Sequence, residues 1–175
     1  MNPRVAAPSL AVASGLALLG AHPPLGWWPL SFVHPTLLVL ALLVSRQADR
    51  PARHQWRYDA GLGLLAGLTT FLPMLSWLIE PATLLGWSVL SAVQGVWYAA
   101  LAVVVGWVVT KPGAPLLIGV LWTGIEAWRG LVPLNGFEWG SIAYAHVDGS
   151  WLLPMARLVG SRGITLIVVV IGAGL

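Results

Sequence analysis

Glu126 and Arg129 stand three residues apart in "WTGIEAWRG", inside a stretch otherwise free of charge. On a helix that spacing brings both side chains to one face. Paired there, they would lower the cost of carrying charge to the end of an apolar helix. The same two groups could instead form a polar site facing a cavity, because ionisable residues within a membrane mark such places. Shortly after comes "NGFEWGSIAY", Asn135 to Tyr144, which crowds two glycines, two large aromatics, a carboxylate and a tyrosine into ten residues. Phe137, Trp139, Tyr144 and, further on, Trp151 suit the headgroup layer of a membrane, where ring bodies meet acyl chains and polar tips meet headgroups. The segment therefore reads either as a structural cap or as a lipid-facing site. Trp77 and Glu80 in "LPMLSWLIEP" are explained by an aromatic belt and a helix-ending Pro81. Gln94, alone in a long apolar run, reads as a hydrogen-bonding tie between helices.

Other chemistries are excluded or disfavoured. The chain has no cysteine, so no disulfide, thiolate metal site or cysteine nucleophile lies within these residues. His22, His34, His54 and His146 are too scattered to suggest a metal cluster and read as structural. No catalytic residue, metal or cofactor is assigned. The net charge of +3 and the high isoelectric point invite a nucleic-acid reading. No nucleic-acid motif accompanies them, and the basic residues are better explained by membrane topology.

The elements that must position these residues are membrane helices. The chain is 58% hydrophobic and 9% charged over 175 residues, against roughly 25% charged in a soluble domain. No charge falls between Arg4 and Arg46, and residues 60–79 and 81–110 are uncharged as well. A bilayer crossing takes about 20 apolar residues of helix, and continuous runs such as "VLALLVS" do not alternate as barrel strands would. The expected fold is an all-α, polytopic integral membrane helical bundle of about six transmembrane helices, forming a single domain. Prolines and charges divide it into crossings at about 6–21, 28–45, 60–79, 85–109, 114–131 and 161–175. His34-Pro35 predicts a kink or late start in the second. Gly61, Gly63 and Gly67 have the spacing that permits close helix packing.

Orientation follows from lysine and arginine. Arg4, Arg46, Arg50, Arg53, Arg57 and Lys111 fall on one side, six of the nine basic residues, and that side is predicted to be cytoplasmic. Residues 132–160 are then extracytoplasmic. Thirteen residues follow Arg162, a rise of roughly 20 Å of helix against about 30 Å of hydrocarbon. The last helix is therefore expected to be truncated, with the chain continuing beyond residue 175.

Taken in order, "PPLGWWP", "LSWL", the Glu126 and Arg129 motif, the Phe137 to Asp148-Gly149 segment and "LVGSRGITLIVVVIGAGL" resemble the N-terminal membrane domain of apolipoprotein N-acyltransferase. The likeness runs through almost the whole chain and is strongest from Trp122 onward. It implies a multi-pass protein of the bacterial plasma membrane. It also implies transfer of a phospholipid acyl chain to the lipidated N-terminal cysteine of an apolipoprotein. The chemistry would belong to a Glu-Lys-Cys triad in a nitrilase-like domain after residue 175, leaving this part inactive alone and concerned with anchoring and lipid access. By that resemblance Trp77, Glu126, Arg129, Gly136, Phe137, Trp139, Gly140, Tyr144, Asp148 and Gly149 match family positions. Glu138 departs from the pattern, standing where the family usually has proline. A scaffold that is fused to or recruits a polyprenol-phosphate mannosyltransferase is the alternative, and a small transporter a third.

Overall fold

The structure, a computed structural model, describes residues 2–48, 51–133, 135 and 137–175. Six α-helices follow in order: α1 Pro3–Ala21, α2 Leu30–Ser45, α3 Gln55–Met74, α4 Ile79–Val108, α5 Ala114–Leu131 and α6 Ala156–Gly174. Among the described residues there is no strand. The protein is an all-α membrane bundle.

Local chemistry sets the helix ends. The Asn2 side chain accepts from the Arg4 amide at 3.0 Å, with Pro3 in the first turn, where its missing N–H costs nothing. Pro29 precedes α2, and Gly113, at φ 72°, turns the chain into α5. α4 is not one smooth rod: Thr83 has φ 63° and ψ 170°, separating a first turn from the long run that follows. Gly160, at φ 65°, breaks α6 in the same way.

The segments Pro3–Ala21, Ser76–Val108 and Leu153–Gly174 are long and apolar enough to cross a membrane by themselves. α2 is apolar but has 16 residues, whereas Asp59 in α3 and Glu126 with Arg129 in α5 bring charge into those helices. α3 lies against α4 and α1, α2 against α1 and α6, and α5 against α6 and α4. Two of the three spaced glycines make the α3–α4 seam: a Cβ on Gly63 would lie 2.1 Å from the Tyr98 carbonyl oxygen, and one on Gly67 2.9 Å from Gly95 Cα. Gly61 faces open space.

Two expectations change. α3 begins at Gln55 rather than near 60, because Asp59 is buried and its carboxylate bonds the Arg46 guanidinium, so the charged stretch folds into the helix. Pro35 does not delay α2, which runs on from Leu30; its neighbour His34 is fully buried, with the His34 carbonyl accepting from Ser14 at 2.9 Å. The apolar segment Leu153–Gly174 is interrupted at Gly160, so its continuous helical run starts at Ser161, as expected for the last crossing, with Arg162 in its first turn.

Candidate functional site

At the end of the bundle where α5 gives way to α6, the chain does not extend into water. It folds back over the helix ends through short 3₁₀ turns, Ile142–His146 and Leu153–Met155. Buried polar groups anchor it. Nε2 of His22, just past α1, lies 3.1 Å from the Ser141 carbonyl. His146 reaches Ser31 of α2 at 3.0 Å and Ser150 at 2.7 Å. Burial holds the His146 imidazole down at about 4, and nearby His22 adds to the effect.

Glu126 and Arg129 supply the rest of the anchoring, and they do so separately. The two form no ion pair, contrary to the pairing expected from their spacing. Glu126 accepts from the Ile142 amide at 3.0 Å and from the Thr165 hydroxyl of α6 at 2.7 Å. Arg129 donates to Gln94 of α4 at 2.7 Å and to the Trp139 carbonyl at 2.9 Å, its guanidinium lying 5.4 Å from the Phe71 ring centre. Both are buried. A buried amide or carbonyl must find a partner, and here the folded-back segment finds two of its partners on α5. Gln94 is the tie between helices that the sequence suggested.

Above these anchors lies a cavity of about 540 Å³, walled by Leu19, Trp77, Trp139, Gly140 and Tyr144 among others. The Trp77 and Trp139 rings sit 5.5 Å apart at 50°. Gly140 has φ 73°, and a Cβ there would lie 2.7 Å from the Phe71 ring, so the turn needs glycine for both conformation and space. A second cavity of about 290 Å³ adjoins, lined by Leu131, Asn135, Phe137 and Glu138; Trp139 and Tyr144 belong to both.

Glu138 is fully engaged. One oxygen pairs with the Arg162 guanidinium of α6, and the other accepts from the Tyr144 hydroxyl at 2.9 Å. Its stem rests on Gly130, where a Cβ would lie 2.6 Å from Glu138 Cγ. Partial burial, and next the Glu138 carboxylate, raises the Tyr144 phenol above its usual range.

Of the residues singled out from sequence, Trp77, Trp139, Gly140 and Tyr144 meet at the larger cavity, Phe137 lines the smaller, and Glu126 and Arg129 hold the segment from beneath. Gly136 lies outside the described residues. Asp148 and Gly149 are exposed beyond both cavities. Sequence reasoning missed His22 and Arg162. A lone arginine early in the last apolar run was the available signal for the second. Among the described residues no group of histidine and carboxylate side chains could hold a metal.

The model of the apolipoprotein N-acyltransferase N-terminal domain family matches residues 14–174. The chain belongs to that family. It is 32% identical over 172 residues to an apolipoprotein N-acyltransferase of Mycolicibacterium smegmatis, covering 98% of this chain and 28% of that protein. The corresponding proteins of Caulobacter vibrioides and Gloeobacter violaceus are 35% and 30% identical, with 94% and 93% of this chain covered. The chain spans about a third of the curated relatives it matches, 32% for both of these. As an apolipoprotein N-acyltransferase N-terminal domain, it is the membrane part of an acyltransferase family.

Proposed function

We propose that this domain leads a phospholipid acyl chain out of the bilayer toward a catalytic domain above the cavity end. The acyl group would pass to the lipidated N-terminal cysteine of an apolipoprotein. What carries the reading is the gathering of Trp77, Trp139, Gly140 and Tyr144 around one cavity of about 540 Å³. Its tryptophan walls suit an acyl chain, while the His22 imidazole in the lining offers a polar group to the ester end of that chain. The chain has no cysteine, so a thioester acyl-enzyme requires a nucleophile from a nitrilase-like domain beyond residue 175. The 175-residue chain alone is then inactive.

The reading also sets topology, with the N-terminus and the Arg53–Arg57 end in the cytoplasm of a bacterial cell and residues 132–160 outside the plasma membrane. Single cysteines at His54 and Asp148, both exposed, should react with an impermeant reagent from opposite sides. In the full-length parent, Trp139→Ala should slow acyl-enzyme formation from phospholipid while membrane insertion is unchanged. A fully active Trp139→Ala parent would remove the lipid-access role, and same-side labelling would remove the topology.

A further inference from the structure

Two side chains line both cavities at the loop end. Trp139 and Tyr144 face both, whereas Trp77 and Met74 line only the larger and Leu131 and Asn135 only the smaller. Trp139 is held through its backbone by Arg129 and through its ring by Trp77. Tyr144 is held differently, by its hydroxyl on Glu138 at 2.9 Å. Glu138 is in turn fixed by Arg162 of α6 and by the notch at Gly130 of α5. The dividing wall thus depends on a chain of contacts through Arg162, Glu138 and Tyr144.

We propose that Tyr144, pinned by Glu138 and Arg162, is a partition that limits how far an acyl chain reaches into the loop end, and so a specificity-determining residue for acyl-chain length. With the partition closed, a chain entering beside Trp77 ends against the Tyr144 ring. With it removed, the smaller cavity of about 290 Å³ continues the larger one. Glu138 and Arg162 are positioning residues that act through Tyr144. The proposal rests on the reading of the larger cavity as an acyl-chain site, and the experiment separates the two.

The full natural polypeptide is placed in vesicles of phosphatidylethanolamine and phosphatidylglycerol containing a phosphatidylethanolamine with a photoreactive group at its acyl terminus. Cross-linked peptides are then mapped. The parent should be labelled around Met74 and Trp77 but not around Leu131 and Asn135. Tyr144→Ala should keep the first label and gain the second. Tyr144→Phe, which loses only the pinning bond, and Arg162→Gln should gain it in part. Label at Trp77 in each variant also reports that the variant is folded. In paired-donor assays the Tyr144→Ala parent should shift its turnover ratio toward the longer acyl chain. A parent already labelled at Leu131, or a Tyr144→Ala protein labelled at Trp77 alone, overturns the partition while leaving the acyl-chain site standing. Absence of label at both places in every protein overturns that site as well.

Discussion

The bundle carries buried charge at both ends, and the two ends use it in opposite ways. At the end near the α2–α3 connection, Arg46 and Asp59 close on each other. Arg46 Nη2 meets Asp59 Oδ2 at 2.9 Å and the Gly106 carbonyl at 2.7 Å, Nη1 adds Leu42, and Gln55 bonds Asp59 at 2.9 Å. Three helices are tied by one ion pair and its neighbours. At the loop end, Glu126, Arg129, Glu138 and Arg162 never close into a single cluster. Glu138 pairs with Arg162, Glu126 and Arg129 bond separate partners, and together they hold an irregular segment over two cavities. Closed pairing yields a rigid joint. Divided pairing yields a roof whose shape is set by several separate bonds.

Breaking the joint should cost most. Asp59→Ala leaves the Arg46 guanidinium without its carboxylate, and loss of one partner of a buried pair costs about 3 kcal/mol or more. Folded yield in detergent should collapse, and Arg46→Met in the same chain should restore part of it. An Asp59→Ala protein as stable as the parent would show that the joint is ornamental. The seam between the ends comes next. Gly63→Ala forces a methyl onto the Tyr98 carbonyl and should cost about 2 kcal/mol of thermal stability, while Gly61→Ala should be silent.

At the loop end, Glu126→Gln and Arg129→Met should each lower stability by about 1.5 kcal/mol, the scale of a charged hydrogen bond. Because the two do not pair, the double variant should be no more stable than the weaker single. A double variant that recovers would mean that they do pair. The smallest effect is in pH. The folded His146 pKa is lowered to about 4 from 6.5, so the unfolded chain takes up its proton first as pH falls. Stability is complete above 6.5 and declines toward about 4. Over the first pH unit below 6.5 the loss should be about 1 kcal/mol at most, read as a falling melting temperature. His146→Gln should flatten that slope.

The closed end and the divided end were not equally legible. Uncharged runs and proline punctuation located all six helices, and α5 at 114–131 matches in both bounds, because helix length in a bilayer follows from local composition. The aromatic crowding around Trp139 is local too, and it falls on the segment that lines both cavities. What the sequence hid were partners distant along the chain. Glu126 and Arg129 read as a pair by their spacing, but buried amides and carbonyls of the folded-back segment compete for the same charges and win. Asp59 looked like a loop residue until Arg46, thirteen positions earlier, claimed it. Arg162, inside the expected last crossing, gave no sign of its partner Glu138, 24 positions earlier.

The breaks at Thr83 and Gly160 bear on bilayers of different thickness. Thr83 holds a backbone conformation that is normally left to glycine, and it divides α4 so that the long part starts at Leu84. A continuous helix would transmit any change in hydrocarbon thickness to the segments attached to it, since a rod meets mismatch by tilting as a whole. With both α4 and α6 interrupted at the same end, their spanning parts can tilt to suit the surrounding lipid. The short leading turns stay with the roof, and the distance between Trp77 and Trp139 is then insulated from the thickness of the membrane.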